Sequence, residues 1–290
     1  MTLLTGHRRA IRLETNRLKG ENMDIYGCDF SGAKNPEGKI FVTRGKLIGN
    51  ELSIEEVISC EDRLDLLYLI KKTSAPWGLD FPFAIPMHHL QSHYSSSWAT
   101  FIQEAYSDTR EQFKSRFGTV HSGKSDIDLR ETDIAVNGKS PISATPIAMN
   151  GMLYGGRKLL FNLQKEVSIY PFTSYKKEGS HLYEVYPSHL WKTLHLKSND
   201  AATFEAMNAN FKTQIDKSFN LSITPQAIQG TLNANGEPNL HGMDSIMACI
   251  VMAYCIFKYD IDNNWEGCPS FATEQEWDHS SQEGLILRVK

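Results

Sequence analysis

Met23-Asp24-Ile25-Tyr26-Gly27-Cys28-Asp29, followed by Ser31-Gly32-Ala33, is an apolar strand pattern that ends on one carboxylate and then breaks. The arrangement returns at Ala75-Pro76-Trp77-Gly78-Leu79-Asp80, a short buried run cut off by Pro82 and Pro86, and at Leu182-Tyr183-Glu184, just ahead of Tyr186-Pro187. A fourth acidic residue, Asp244, follows His241-Gly242-Met243 at the head of an apolar helical run. Taken singly, an aspartate at a strand end is a turn former or a helix cap. Several that converge repel one another unless a divalent cation lies between them. The pattern predicts a carboxylate cluster that holds metal.

Outward from the first strand, a turn at Asn35-Pro36-Glu37-Gly38 leads to a second strand over 39–44, making a β-hairpin. Ser53-Ile54-Glu55-Glu56 opens like a capping box, and Ile54, Val57, Ile58, Leu64, Leu67 and Ile70 follow a helical period, so a helix is predicted from 53 to just before Pro76. Phe81 to Pro86 forms a rigid apolar loop. Helices are predicted over 98–117, 149–167, 201–219 and 243–259, with a polar, loop-like stretch over 118–146, a strand over 182–186 and a closing strand over 285–289. This alternation predicts an α/β fold, a mixed sheet flanked by helices, in which Asp29, Asp80 and Glu184 lie beyond strand carboxyl ends. The organisation expected is a leader over 1–22 and a single domain over 23–290, with a helical and loop insertion at about 86–180.

The chain has 290 residues, 41% of them hydrophobic, enough for one large packed core. Its formal charge of -4 supplies no bulk attraction for nucleic acid but leaves room for a local basic patch. The five cysteines lack paired spacing, so disulfides and structural zinc are not expected. The most apolar stretch, 245–257, is shorter than a bilayer span, and the leader lacks the continuous apolar core of a secretory signal; a cytoplasmic protein that does not engage membranes is expected. A serine-nucleophile elbow, a Walker loop and a dinucleotide glycine fingerprint are all missing from the sequence. His88, His89 and His93 have metal-ligand spacing, yet no carboxylate or cysteine nearby in sequence completes a site.

The ordered set GCDFSGAK (27–34), GLDFPFAIP (78–86), RETD (130–133), YEVYPSHLW (183–191), HGMDSIMACIVMAY (241–254) and EGLI (283–286) resembles the predicted-nuclease family known as domain of unknown function 429. The resemblance runs from about Asp24 to the C-terminus. It implies a ribonuclease H-like fold, in which the first strand, the fourth strand and a late helix of a mixed five-stranded sheet supply carboxylates for metal. Asp29 then matches the first-strand aspartate, Asp80 that of the fourth strand, Glu184 the glutamate before Tyr-Pro, and Asp244 that of the late helix. His241, a departure from the family pattern, shares a helix face with Asp244 and is a fifth candidate ligand.

The activity implied is hydrolysis of nucleic-acid phosphodiester bonds by a metal pair held on Asp29, Asp80, Glu184 and Asp244. Such oxygen ligands suit Mg²⁺, and His241 tilts the set towards Mn²⁺. Candidate substrate-binding residues are Lys34, Arg130 with Asp133, and Arg157 after Gly155-Gly156; Arg130 and Asp133 read equally as an ion pair, and Arg157 as a solvated helix cation. Two other readings stand beside the nuclease. One is an actin-like ATPase or kinase that holds Mg-nucleotide phosphates on Asp29 to Lys34. The other is a non-catalytic nucleic-acid-binding module of the same fold.

Overall fold

The computed structural model describes residues 22–117, 128–143, 149–197 and 202–290. Of the leader, only Asn22 is among them, and much of the polar stretch predicted over 118–146 also lies outside. The strands are β1 (Asn22–Asp29), β2 (Ile40–Ile48), β3 (Glu51–Cys60), β4 (Pro76–Asp80), β5 (Ser168–Ile169), β6 (His181–Val185), β7 (Asn220–Ile223) and β8 (Ile286–Leu287). The helices are α1 (Arg63–Lys72), α2 (Met87–His93), α3 (Trp98–Gln103), α4 (Arg110–Arg116), α5 (Glu131–Ala135), α6 (Met149–Leu163), α7 (Pro187–Leu194), α8 (Thr203–Gln214), α9 (Pro225–Gly230), α10 (Leu240–Tyr259) and α11 (Glu274–Glu283).

All the strands join one mixed sheet in the order β5-β6-β4-β1-β2-β3-β7, with β8 also on β6. β1, β2 and β3 form an antiparallel meander, β4 is parallel to β1, and β6 is parallel to β4. Side chains alternate across the sheet and so feed two separate cores. Ile25, Phe41, Tyr183 and Val185 face α10, whereas Tyr26, Cys28, Trp77, Leu79 and Leu182 face the opposite layer, where α1 and the helices between β4 and β5 pack. The α/β class and the mixed sheet flanked by helices are therefore as the sequence predicts.

Two of the predicted helices differ in the structure, and α5 lies within the stretch read as loop-like. The helix expected from Ser53 is instead β3 followed by α1, whose N-cap is Asp62. Opposite β3, Gly45 pairs with Ile54 and Arg44 with Glu56, so Glu55 is an extra residue and the ladder bulges there. The bulge shifts the alternation, and the buried positions Ile54 and Val57 fall three apart, a spacing that imitates a helix. The single helix expected over 98–117 is α3, a short 3₁₀ turn and then α4, which restarts at a capping box between Thr109 and Gln112. α10 is also longer than its most apolar stretch, at 20 residues, and matches a bilayer span in length and composition. Its most apolar window is 78% buried against the sheet, which accounts for that composition as core.

Glycine places α10. Gly27 and Gly78 are register partners on β1 and β4, and both lie on the face that α10 covers. A Cβ at Gly78 would stand 2.9 Å from the Ala248 carbonyl, and one at Gly27 would overlap the backbone of Ser245 and Cys249. With side chains missing from both strands, the helix backbone rests on the sheet backbone. Thr43, the register partner of Gly27 on β2, secures the contact by a buried hydrogen bond of 2.7 Å to the Ser245 hydroxyl. This close approach brings the first turn of α10 over the ends of β1 and β4. Gly27→Ala is accordingly expected to lower unfolding free energy by about 3 kcal/mol, the upper range for overpacking, because backbone rather than a flexible side chain must move. Urea denaturation would show it, and a variant as stable as the parent would mean that α10 can shift freely on the sheet.

Candidate metal centre

Asp29 and Asp80 are direct register partners on adjacent parallel strands, so both carboxylates emerge side by side on the face beneath α10. α10 is capped by Asn239, whose side chain accepts from the His241 backbone N–H, and its first turns present His241 and Asp244 to the same place. The Asp29 Oδ2 and His241 Nδ1 atoms are 2.6 Å apart. With Asp29 ionised, Nδ1–H is the donor, which leaves the lone pair of the neutral ring on Nε2. Asp244 accepts through Oδ1 from the Trp191 indole N–H on α7. All four side chains line one cleft of about 760 Å³.

Electrostatics marks this group as a set of carboxylates pressed together. Burial, and then the charges of Asp29, Asp244 and Glu184, push Asp80 well above the usual carboxyl range, although part of Asp80 still faces the cleft. Burial and the Asp29 charge lift Asp244 to about 7, against the opposing hydrogen bond from Trp191 and the charge of His241. Burial also raises Asp29, while His241 pulls it back. The hydrogen bond to Asp29 in turn raises His241 against the effect of burial. Three acids held as neighbours against their own repulsion form a donor set that a cation would relieve.

The other predicted site residues separate into groups. Glu184 is the register partner of Leu79, so it lies on the sheet face opposite Asp29 and Asp80, and it is 2% exposed. There Arg130, itself 1% exposed, donates from Nη2 to Glu184 Oε1 at 2.6 Å and from Nη1 to Oε2 at 2.9 Å. Arg130 also donates from Nε and Nη2 to Asp133 at 2.9 and 2.7 Å, and from Nη1 to the Glu283 carbonyl at 3.1 Å. These bonds account for all of the donors a guanidinium has. The Phe83 backbone N–H donates to Glu184 as well, which fastens the loop that follows Asp80. Glu184, Arg130 and Asp133 thus form a buried clamp behind the cleft, in place of the ligand and substrate contacts expected of them; strand parity is the reason for Glu184, and the pairing of Arg130 with both carboxylates is the reason for the other two.

Arg157 is likewise buried rather than a solvated or ligand-binding cation. It packs against the rings of Tyr94, Phe101 and Phe113 and donates to the Tyr94 hydroxyl and the Glu104 carbonyl. Gly155 and Gly156 serve packing: a Cβ on Gly156 would overlap the Phe81 ring. Lys34 does line the cleft, paired at 3.5 Å with exposed Glu111. The sequence reading missed three more cleft cations, Arg110, Lys114 and Lys139, and it missed Trp191 as the partner of Asp244. The cations come from α4 and from the segment after α5, and nothing in their local sequence sets them apart. Trp191 sits inside the 183–191 motif and was the one accessible signal.

His88 and His89 do find a carboxylate. Asp128, 39 residues after His89, lies beside both rings, and among the described residues these three are the group of possible ligands whose donor atoms all fall within 4.8 Å of one another. This group could hold a metal ion. Asp29, Asp80 and Asp244 line the cleft together and offer only carboxylate oxygens, the donors that Mg²⁺ takes alongside water. Comparison of the chain with protein-family models, curated proteins and solved structures finds no match.

Proposed function

We propose that the protein is a divalent-metal-dependent phosphodiesterase of the ribonuclease H-like type, acting on nucleic acid. The observation that carries this reading is the register pairing of Asp29 with Asp80 under Asp244. The carboxylates come from the first strand, the fourth strand and a late helix, the origins that the resemblance to the domain of unknown function 429 family implies. The cleft above them sets Lys34, Arg110, Lys114 and Lys139 around the acids, a pairing of cationic rim and anionic floor that suits a phosphodiester. Five free cysteines, four of them buried, fit a reducing compartment, in keeping with a cytoplasmic site of action.

The donor set fits Mg²⁺ or Mn²⁺: hard carboxylate oxygens from Asp29, Asp80 and Asp244, with His241 beside them in the same cleft and its Nε2 left free of the cation. When bound, such a cation neutralises phosphoryl oxygens and lowers the pKa of water. The chain does the rest. Lys34, Lys114 and Lys139 draw the phosphate backbone into the cleft. Arg110 donates to the Gly32 carbonyl, and Arg63 donates to the Ser31 carbonyl at 2.9 Å, so the loop after Asp29 is held in place. Trp191 fixes Asp244. Asp29 orients His241 through Nδ1, and Nε2 of the neutral ring accepts a proton from the attacking water.

The direct test is cleavage of labelled DNA and RNA oligonucleotides with Mg²⁺ or Mn²⁺, run beside ATP hydrolysis. Oligonucleotide cleavage that needs the metal supports the proposal; ATP turnover without it would favour the actin-like reading, and binding without turnover a non-catalytic module. His241→Ala should slow cleavage by about a hundredfold, the lower range for loss of a general base, and remove the rise in rate as His241, held up by Asp29, loses its proton above the ordinary imidazole range. A variant that keeps the parent pH profile would show that His241 does not handle the proton.

A further inference from the structure

A second cluster lies away from the cleft, where α2 meets the residues that lead into α5. Nε2 of His89 and Nε2 of His88 stand 3.2 and 3.7 Å from one atom, Oδ1 of Asp128. The rings of His88 and His89 are 4.1 Å apart, and His93 stacks on His89 at 6.0 Å. Like-charged rings so close would repel one another if both were protonated. Imidazole ligates metal through the lone pair of its neutral form, so a cation between the rings replaces that repulsion with attraction.

We propose that His88, His89 and Asp128 form a Zn²⁺ site, distinct from the carboxylate cleft, that fastens α2 to the start of α5. Two imidazoles and one carboxylate are a borderline nitrogen and oxygen set, the composition with which Zn²⁺ is held by three protein ligands and an open position. The exposure of the His88 side chain, 45%, gives the ion a route in and leaves that position to water.

The position of the cluster gives the ion a structural consequence. On the other flank of the same junction, Glu283 accepts from the Met87 N–H at 2.6 Å and from the Glu131 N–H at 3.2 Å, tying the starts of α2 and α5 together. Zn²⁺ would make a second tie between the same two segments. Asp128 is two residues from Arg130, whose clamp on Glu184 holds the loop after Asp80. An ion here would therefore brace that clamp, and with it the back wall of the cleft.

The test uses tag-free, full-length protein stripped with chelator and carrying Asp29→Asn with Asp80→Asn, so that Zn²⁺ cannot lodge in the cleft and the outcome does not depend on the phosphodiesterase reading. Titration of ZnCl₂ against a chromophoric chelator should show about one tight equivalent per chain and a higher thermal unfolding midpoint, since the ion binds the folded state. His88→Ala, at a half-buried position, should weaken binding by more than about a hundredfold, beyond the range for loss of an outer-sphere partner, and remove the thermal shift. Asp128→Asn should do the same. Failure of the stripped protein to take up Zn²⁺, or undiminished uptake by both single variants, would overturn the site.

Discussion

Asp80→Asn should reduce metal-dependent cleavage by roughly a thousandfold or more, equivalent to about 4 kcal/mol of transition-state stabilisation, while the chain still folds. An amide has the shape of the carboxylate without its charge, so the substitution removes what a cation needs and little else. The same change should make the metal-free protein more stable. Burial and three neighbouring acids raise Asp80, and Asp244 titrates at about 7. Above the ordinary carboxyl range near pH 4, the folded chain retains protons that the unfolded chain has released. The stability this cluster contributes is complete below that range and is lost as pH climbs towards 7. His241, raised by Asp29, loses its own contribution in the same direction above about 6.5. Thermal melts of the metal-free wild type should thus fall from pH 5 to pH 8 more steeply than those of Asp80→Asn. Mn²⁺ should restore the wild type at pH 8 and leave the variant unchanged. Parallel pH profiles would mean that the carboxylates do not repel one another as the structure places them.

The second large effect concerns stability alone. Arg130→Gln leaves Glu184 and Asp133 as buried carboxylates without their shared cation, and unfolding free energy should drop by about 3–5 kcal/mol, the range for breaking a buried ion pair from one side. Glu184→Gln should cost less, because Arg130 keeps Asp133 and the amide oxygen introduced by the substitution would still accept from the Phe83 N–H. The ordering separates a structural Glu184 from a ligand. A Glu184→Gln variant with wild-type stability but no cleavage would return Glu184 to the metal centre.

Much of this arrangement was legible in the chain because strands that end on a carboxylate leave a local mark. Asp29 and Asp80 close short apolar runs, and the helical spacing of His241 and Asp244 places them on one face. What local sequence does not carry is parity across strands. Glu184 ends its run just as Asp29 does, yet it pairs with Leu79 rather than with Asp80, and that single step turns its side chain to the other layer. Separation along the chain hid Asp128, which completes a histidine pair from 39 residues away. β3 misled for a different reason: one extra residue at Glu55 converts a two-residue alternation into a three-residue step. The cleft cations leave no mark at all, since exposed lysines are common on any helix or loop.

The central claim is that Asp29, Asp80 and Asp244 hold the catalytic cation, and anomalous diffraction from crystals soaked in MnCl₂ tests it most directly. The account predicts an anomalous peak in the cleft, ligated by Asp29 and Asp80 with Asp244 beside it, and no such peak in crystals of Asp80→Asn. Density confined to His88, His89 and Asp128, with the three cleft carboxylates empty at saturating Mn²⁺, would contradict it.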